Sequence, residues 1–384
     1  MSISLRTALL GSLLLTIAGL DDVLGATRIV ALDGSGDTTS IWEAVDQCSP
    51  GDSILVQPGV YTEQRQYEYA TGLFAPALLG FQIPNLTIIG AHRDSVQLLD
   101  PLGVHSSKAQ TYGVIASPQA SGYRVSGLSV AGVREGFRLL ASGSLSSSRA
   151  SASNIGVLCA ESGLIAVEDT ETHGAVAGLF AILMEELRVQ GLFVNDSVIG
   201  IEIQSTSDAQ INDAIVVESG LGIQVDASST AVARGLTVTP TCGNGISLNG
   251  GSTLQLRRSF ISAFSTSCIG SGASHLDARG TVFDTAFIAF DLTAGTTTQV
   301  NHCNIALASI STIRVRSYVG FSPPLSLDFQ MNYWGTTDSV VIADSIEDGN
   351  DDPAVEATVD FSSMLDVSVP TKTLSVSDIK SRFE

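Results

Sequence analysis

The chain has 384 residues, of which 44% are hydrophobic and 15% charged, with 37 glycines. That balance favours sheets and turns over helices and allows a large core. Its 39 acidic and 19 basic residues give a net charge of -20, which argues against generic binding to nucleic acid or to an anionic membrane.

The amino terminus, MSISLRTALLGSLLLTIAGLDDVLGA, carries one cation at Arg6 ahead of an apolar run from Ala8 to Leu20. The run is too short to cross a bilayer of about 30 Å, and small residues follow it at Gly25 and Ala26, so residues 1–25 read as a secretory signal. The expected location is secreted or cell-surface, and no later run is long and apolar enough to anchor the mature chain. Residues 26–112 read as an N-terminal cap and first coils. Within them, Ser40 to Glu43 (SIWE) has the form of a capping box, and Ile41, Ala44, Val45 and Cys48 form one apolar helix face. PGDSILVQPGVYTEQ follows as turn, strand and turn. The segment YTEQRQYEYATGLF then makes a long excursion in which Tyr61, Tyr67, Tyr69 and Phe74 either pack over the first coil or stack on sugar rings.

From Gly113 to Ile305 the chain repeats. Units starting at Gly156, Gly178, Gly200, Gly222 and Gly245 are spaced by 22 or 23 residues. The second and fourth residues of a unit are usually apolar, as in Ile201 and Ile203, Ile223 and Val225, or Ile246 and Leu248, which is the period of a strand with one buried face. Further alternations at Leu187, Val189, Leu192 and Val194 make three short strands per unit. One such unit cannot close a core, but units stacked in register bury a continuous apolar column. The expected fold class is all-β: a right-handed parallel β-helix, a three-faced solenoid with an N-terminal capping helix and an irregular C-terminal cap over residues 306–384. The glycine opening each unit is expected to turn a corner, and Ile201, Ile223 and Ile246 are expected in one interior file. Of the five cysteines, Cys242 and Cys268 lie in neighbouring repeats where a bridge could form, while no CxxC or histidine spacing suggests zinc.

The register also places side chains in outward columns. The thirteenth residues of successive units are Glu168, Gln190, Asn212, Arg234 and Arg257, continued by Arg279 and Asn301. Three guanidiniums about 5 Å apart would bind a carboxylated sugar chain with bidentate hydrogen bonds; a solvated column screened by nearby carboxylates is the other reading. Glu168, Asp169, Glu171 and His173 gather at the head of that face, with Asp196 and Asp213 near. Asp169, Glu171 and Asp213 are therefore the candidates for a general base or a calcium ligand. DGNDDP, with Asp348, Asn350, Asp351 and Asp352, has the oxygen density for calcium but lacks the EF-hand spacing, and a surface turn is the alternative. No other cofactor is indicated. Tyr333 and Trp334 are suited to closing the far end of the core.

Three stretches carry a family resemblance: Ser40 to Gln64, the coil pattern to about Ile305, and NYWGTTD with DGNDDP and VDFSSML. Together they resemble the right-handed parallel β-helix proteins of the pectin-lyase-like superfamily. That resemblance implies the fold, and it implies lyases, hydrolases, esterases and epimerases of uronic-acid polysaccharides as possible activities. The NTD, GHG and RIK segments of polygalacturonases, the DPHD of alginate epimerases and the QAVAL and DFIFG of pectin methylesterases are missing. Pectate-lyase-like chemistry, whose carboxylates and basic residue are scattered, is not addressed by such motifs. The leading expectation is a secreted β-helix protein that binds a polysaccharide or cell-surface component. The alternatives are a uronan-acting lyase, with the three arginines facing substrate, and a structural rod or adhesin that needs no groove.

Overall fold

The structure is a computed structural model and describes residues 25–102, 110–285, 287–293, 295–316, 327–352, 355 and 357–370. The expected signal segment, residues 1–25, lies outside the described residues apart from Gly25. Strands dominate, and among the described residues every strand pairing but one is parallel, as a right-handed β-helix requires.

Three sheets run the length of the solenoid. The first has 14 described strands, from Thr27–Val30 to Val359–Asp360. The second is made of short strands such as Glu171–His173, Phe193–Asn195 and Ile215–Val217, and the third of longer ones such as Ala177–Ile182, Ile199–Gln204 and Leu221–Asp226. Two long strands, Ser129–Leu139 and Arg149–Ala160, pass from the second sheet into the third. Ile201 pairs with Ile223, Ile223 with Ile246 and Ile246 with Cys268, all fully buried. The same interior file continues back through Leu179, Val157, Phe137 and Val114 to Leu79, and forward through Phe290 and Ile313 to Ile346. Alternation in the sequence and register in space are one property, because a side chain pointing inward on one rung must meet its equivalent on the next.

The glycines that open the units do not turn corners. Gly156, Gly178, Gly200, Gly222 and Gly245 lie within strands and outside the left-handed region. A Cβ built on any of them would sit 2.5–2.7 Å from a carbonyl oxygen one rung on. They are required by close approach, where a methyl group has no room. The corner after the first sheet is made instead by Ser147, Asp169, Gly191, Asp213, Gly235, Arg258, Gly280 and His302, all in the left-handed conformation. Each of these donates its backbone N–H to a carbonyl of the next coil, as Asp169 does to Gln190 and Asp213 to Arg234.

The helix α1, Ile41–Asp46, starts where SIWE predicts. Ser40 accepts from the Glu43 N–H, but the Glu43 carboxylate is taken by the Thr38 hydroxyl, so only half of the capping box forms. Ile41, Ala44 and Val45 join the main core, and Trp42 enters a second cluster with Ala75, Ala77, Tyr112 and Ile115. The long excursion is a hairpin: Arg65–Ala70 runs antiparallel to Leu73–Phe81, the first strand of the third sheet, and so covers that sheet's open edge. Toward the other end, a series of rings runs from Phe283 through Phe290, Phe329 and Trp334 to Phe361, with centroids 4.7–6.4 Å apart. The five cysteines are free thiols, Cys242 and Cys268 included; Cys268 is a core residue of the interior file, and no bridge joins these repeats.

Candidate functional site

The outward face of the first sheet is polar because its strands alternate. Leu187 and Val189, Ala209 and Ile211, Ala231 and Ala233, Leu254 and Leu256, and Leu276 and Ala278 fill the interior. Between and beyond them stand two outward columns. One is Arg188, Gln210, Val232, Gln255, Asp277 and Gln299; the other is Gln190, Asn212, Arg234, Arg257, Arg279 and Asn301. Arg234 pairs with Arg257 and Arg257 with Arg279, so the three arginines occupy consecutive rungs about 4.8 Å apart.

Their environments are not equal. Arg234 is exposed and makes no ion pair among the described residues. Arg257 is half-buried: Nη1 donates to Asp277 Oδ1 at 3.1 Å and Nη2 to Oδ2 at 2.5 Å, while Nη1 also reaches the carbonyl oxygens of Leu256 and Asp277, both at 2.9 Å. Arg279 is exposed, with Nε 3.8 Å from Asp277 Oδ1. Asn301 ends the column by donating to Asp328 at 3.1 Å. The expected row of three alike cations is thus two exposed guanidiniums flanking one that is already neutralised.

The acidic candidates are dispersed. Asp169 and Asp213 are corner residues, and Asp213 accepts from Gln190 Nε2 at 3.0 Å. Glu171 has turned the corner into the second sheet and is buried. It accepts from Arg149 Nε at 2.6 Å, lies 2.8 Å from Arg93 Nη2 and 3.5 Å from His173 Nε2; Arg149 in turn reaches Asp94 at 2.7 Å. Burial opposes ionisation of Glu171, but the hydrogen bonds from His173 and Arg149 and the charges of Arg149 and Arg93 outweigh it and hold the carboxyl down to about 2. A carboxylate so engaged is a poor base at neutral pH. Asp348 spends its carboxylate on the backbone N–H groups of Asn350 at 2.8 Å and Val359 at 2.7 Å, and Asp351 accepts from the Asp348 N–H. Residues 348–352 thereby fix a turn. Among the described residues no group of three or more His, Cys, Asp or Glu side chains is placed to hold a metal ion.

A second polar face was not anticipated. On the third sheet, Phe180, Glu202, Gln224 and Ser247 form one outward column, and Ile182, Gln204 and Asp226 form its neighbour. Glu202 accepts from Gln204 Nε2 at 2.5 Å. Burial raises the Glu202 carboxyl, the Gln204 hydrogen bond pulls against that rise, and the charge of Asp226 adds to it. The signal was present in GIEIQ and GIQVD, whose third and fifth residues point outward as surely as the second and fourth point in. Farther along, Asp291 is buried between Arg314, at 2.7 Å, and Arg316, at 2.8 Å from its Nε.

The aromatic residues of the hairpin divide. Tyr67 packs on Trp42 with centroids 5.7 Å apart and hydrogen-bonds Ser117, while Arg138 lies over both Tyr69 and Tyr112. Phe74 remains exposed near the tip. A cleft of about 470 Å³ separates α1 from the hairpin, lined by Trp42, Arg65, Tyr67, Phe81 and Gln82 among others.

No family model matches the chain, and no curated protein matches it. Solved structures do. The catalytic unit of the thermostable GH87 alpha-1,3-glucanase from Streptomyces thermodiastaticus strain HF3-3 superposes with a TM-score of 0.52 at 11% identity, over 84% of this chain and 65% of that one. A GH87 alpha-1,3-glucanase catalytic domain solved with tetrasaccharides gives 0.49 at 12%, over 81% and 64%. The A-module of the Azotobacter vinelandii mannuronan C-5 epimerase AlgE4 gives 0.44 at 10%, over 82% and 91%. The chain therefore spans slightly under two-thirds of the length of these glucanase chains. At such identities the likeness is one of fold alone: a right-handed parallel β-helix.

Proposed function

We propose that this chain is an exported β-helix protein that binds an acidic polysaccharide along the outward face of its first sheet. The observation that carries this reading is the exposure of Arg234 and Arg279 on one straight column in a protein of net charge -20. Guanidiniums match carboxylate or sulfate groups with paired hydrogen bonds, and a flat sheet presents them along the direction in which an extended glycan runs. Export rests on the apolar segment from Ala8 to Leu20 and its flanks. Among the described residues no helix is long and apolar enough to cross a membrane. Replacing Arg234, Arg257 and Arg279 together by alanine should abolish retention on an immobilised acidic glycan, and retention of the native protein should fall as salt rises. Retention unchanged by the triple substitution would remove the proposal.

One observation favours a second reading, a polysaccharide-cleaving enzyme. Glu202 and Asp226 stand on adjoining outward columns of the third sheet, and burial raises the Glu202 carboxyl; two carboxyl groups on one face, one of them raised, are what general acid chemistry on a glycosidic bond uses. Incubation with uronan and neutral glucan polymers, with and without calcium, tests it: new unsaturated or reducing ends that vanish in Glu202→Gln support an enzyme, and their absence leaves binding alone.

A further inference from the structure

We infer that Asp277 makes the arginine column a reader of alternating charge, selecting a glycan with one acidic group per disaccharide over one with an acidic group on every sugar. The inference rests on the binding surface proposed above and concerns its specificity.

Along the column the exposed cations are Arg234 and Arg279, two rungs or about 10 Å apart. The rung between them carries Arg257, whose guanidinium is closed in a bidentate pair with Asp277. A ligand charge arriving there meets an already neutralised pair, in which the guanidinium is the more exposed member and the carboxylate lies beneath it. Breaking that pair to reach Arg257 would also leave Asp277 uncompensated beside the incoming acid, a like-charge contact that costs affinity. An extended disaccharide is comparable in length to the two-rung spacing. A chain bearing acid groups on alternate sugars can engage Arg234 and Arg279 while its neutral sugar lies over the Arg257–Asp277 pair. A homopolymer of uronates cannot avoid placing a carboxylate there.

Two further side chains bear on the argument. Arg258 is exposed and makes no ion pair among the described residues, but it holds the left-handed corner, one residue beyond the strand, and so stands off the column. Arg188, lower on the same face, is paired with Glu186 at 2.5 Å and contributes no free charge. Arg257 would keep its position without the carboxylate, because the carbonyl oxygens of Leu256 and Asp277 also hold it.

The test compares retention of the full chain on hyaluronate, with one carboxylate per disaccharide, and on polygalacturonate, with one per sugar, at matched carboxylate density and low salt. The native protein should prefer hyaluronate. Asp277→Asn, which preserves shape and leaves Arg257 free, should strengthen polygalacturonate binding by about fivefold or more and reduce or reverse the preference. Arg258→Ala should weaken both ligands alike. Equal or greater native affinity for polygalacturonate, or a preference unmoved by Asp277→Asn in a variant that melts like the native protein, would overturn the inference while leaving acidic-glycan binding in place. Retention on neither polymer would instead bring down the binding proposal and the inference with it. Should Asp277→Asn fail to fold, Arg257→Gln serves: by leaving Asp277 with only its longer contact to Arg279 it should deepen the discrimination against polygalacturonate, and unchanged discrimination would overturn the inference.

Discussion

Glu171 is ionised among Arg93, Arg149 and His173, and its contribution to stability depends on pH in a defined direction. Its carboxyl is held down to about 2 in the folded chain against an ordinary value near 4.5. The folded state therefore gains from this group above pH 4.5, and the gain disappears as pH falls from there through about 2; the difference corresponds to about 3 kcal/mol. Glu171→Gln is expected to cost a similar amount at pH 7 and to flatten the acid limb of a stability-against-pH profile measured by urea unfolding. An unchanged profile would show that the network is not what anchors the loop His92 to Ser95 to the coils. No sequence pattern foretold this set. Arg93 and Glu171 lie in different coils, and a buried ion pair is a property of the contact, not of either flank.

Among the elements, the strands of the third sheet depend on a file of glycines. Gly200 faces Gly222, and a Cβ at Gly200 would come to 2.5 Å from the Gly222 carbonyl oxygen while also meeting Val216. Gly200→Ala should destabilise the protein by about 1–3 kcal/mol through overpacking, read as a lowered midpoint in thermal melting; a neutral effect would mean that the rungs separate easily at this file. The repeat made these glycines conspicuous, yet it did not say why they are there. A 22-residue period with glycine at a fixed place fits a corner as well as it fits a tight interior, and only the backbone angles distinguish them. The true corners hold Ser, Asp, Arg and His besides Gly. Their variety hid them, since polar residues tolerate the left-handed region through local hydrogen bonds and need not be glycine. The hairpin was similarly hidden: the YEYATGLF segment shows aromatic residues, but its role as a cover for a sheet edge exists only once the sheet does.

For the whole molecule, periodicity was enough to place the interior. Residues 22 or 23 apart with the same alternation stack on one another, so Leu179, Ile201, Ile223 and Ile246 form one file, and the outward arginine column follows from the same register. Those features are dictated locally, because a strand with one apolar face has only one way to bury it and a repeat gives each rung the same solution. The pairing of charges across rungs was settled by the tertiary structure. Asp277 lies one rung from Arg257 and one column over, Glu171 leaves the first sheet at the Asp169 corner, and Glu202 comes up beside Asp226 on a different face. The apolar pattern constrains which way a side chain points, but a charge selects its partner by distance and burial, which arise only when separate coils are brought side by side.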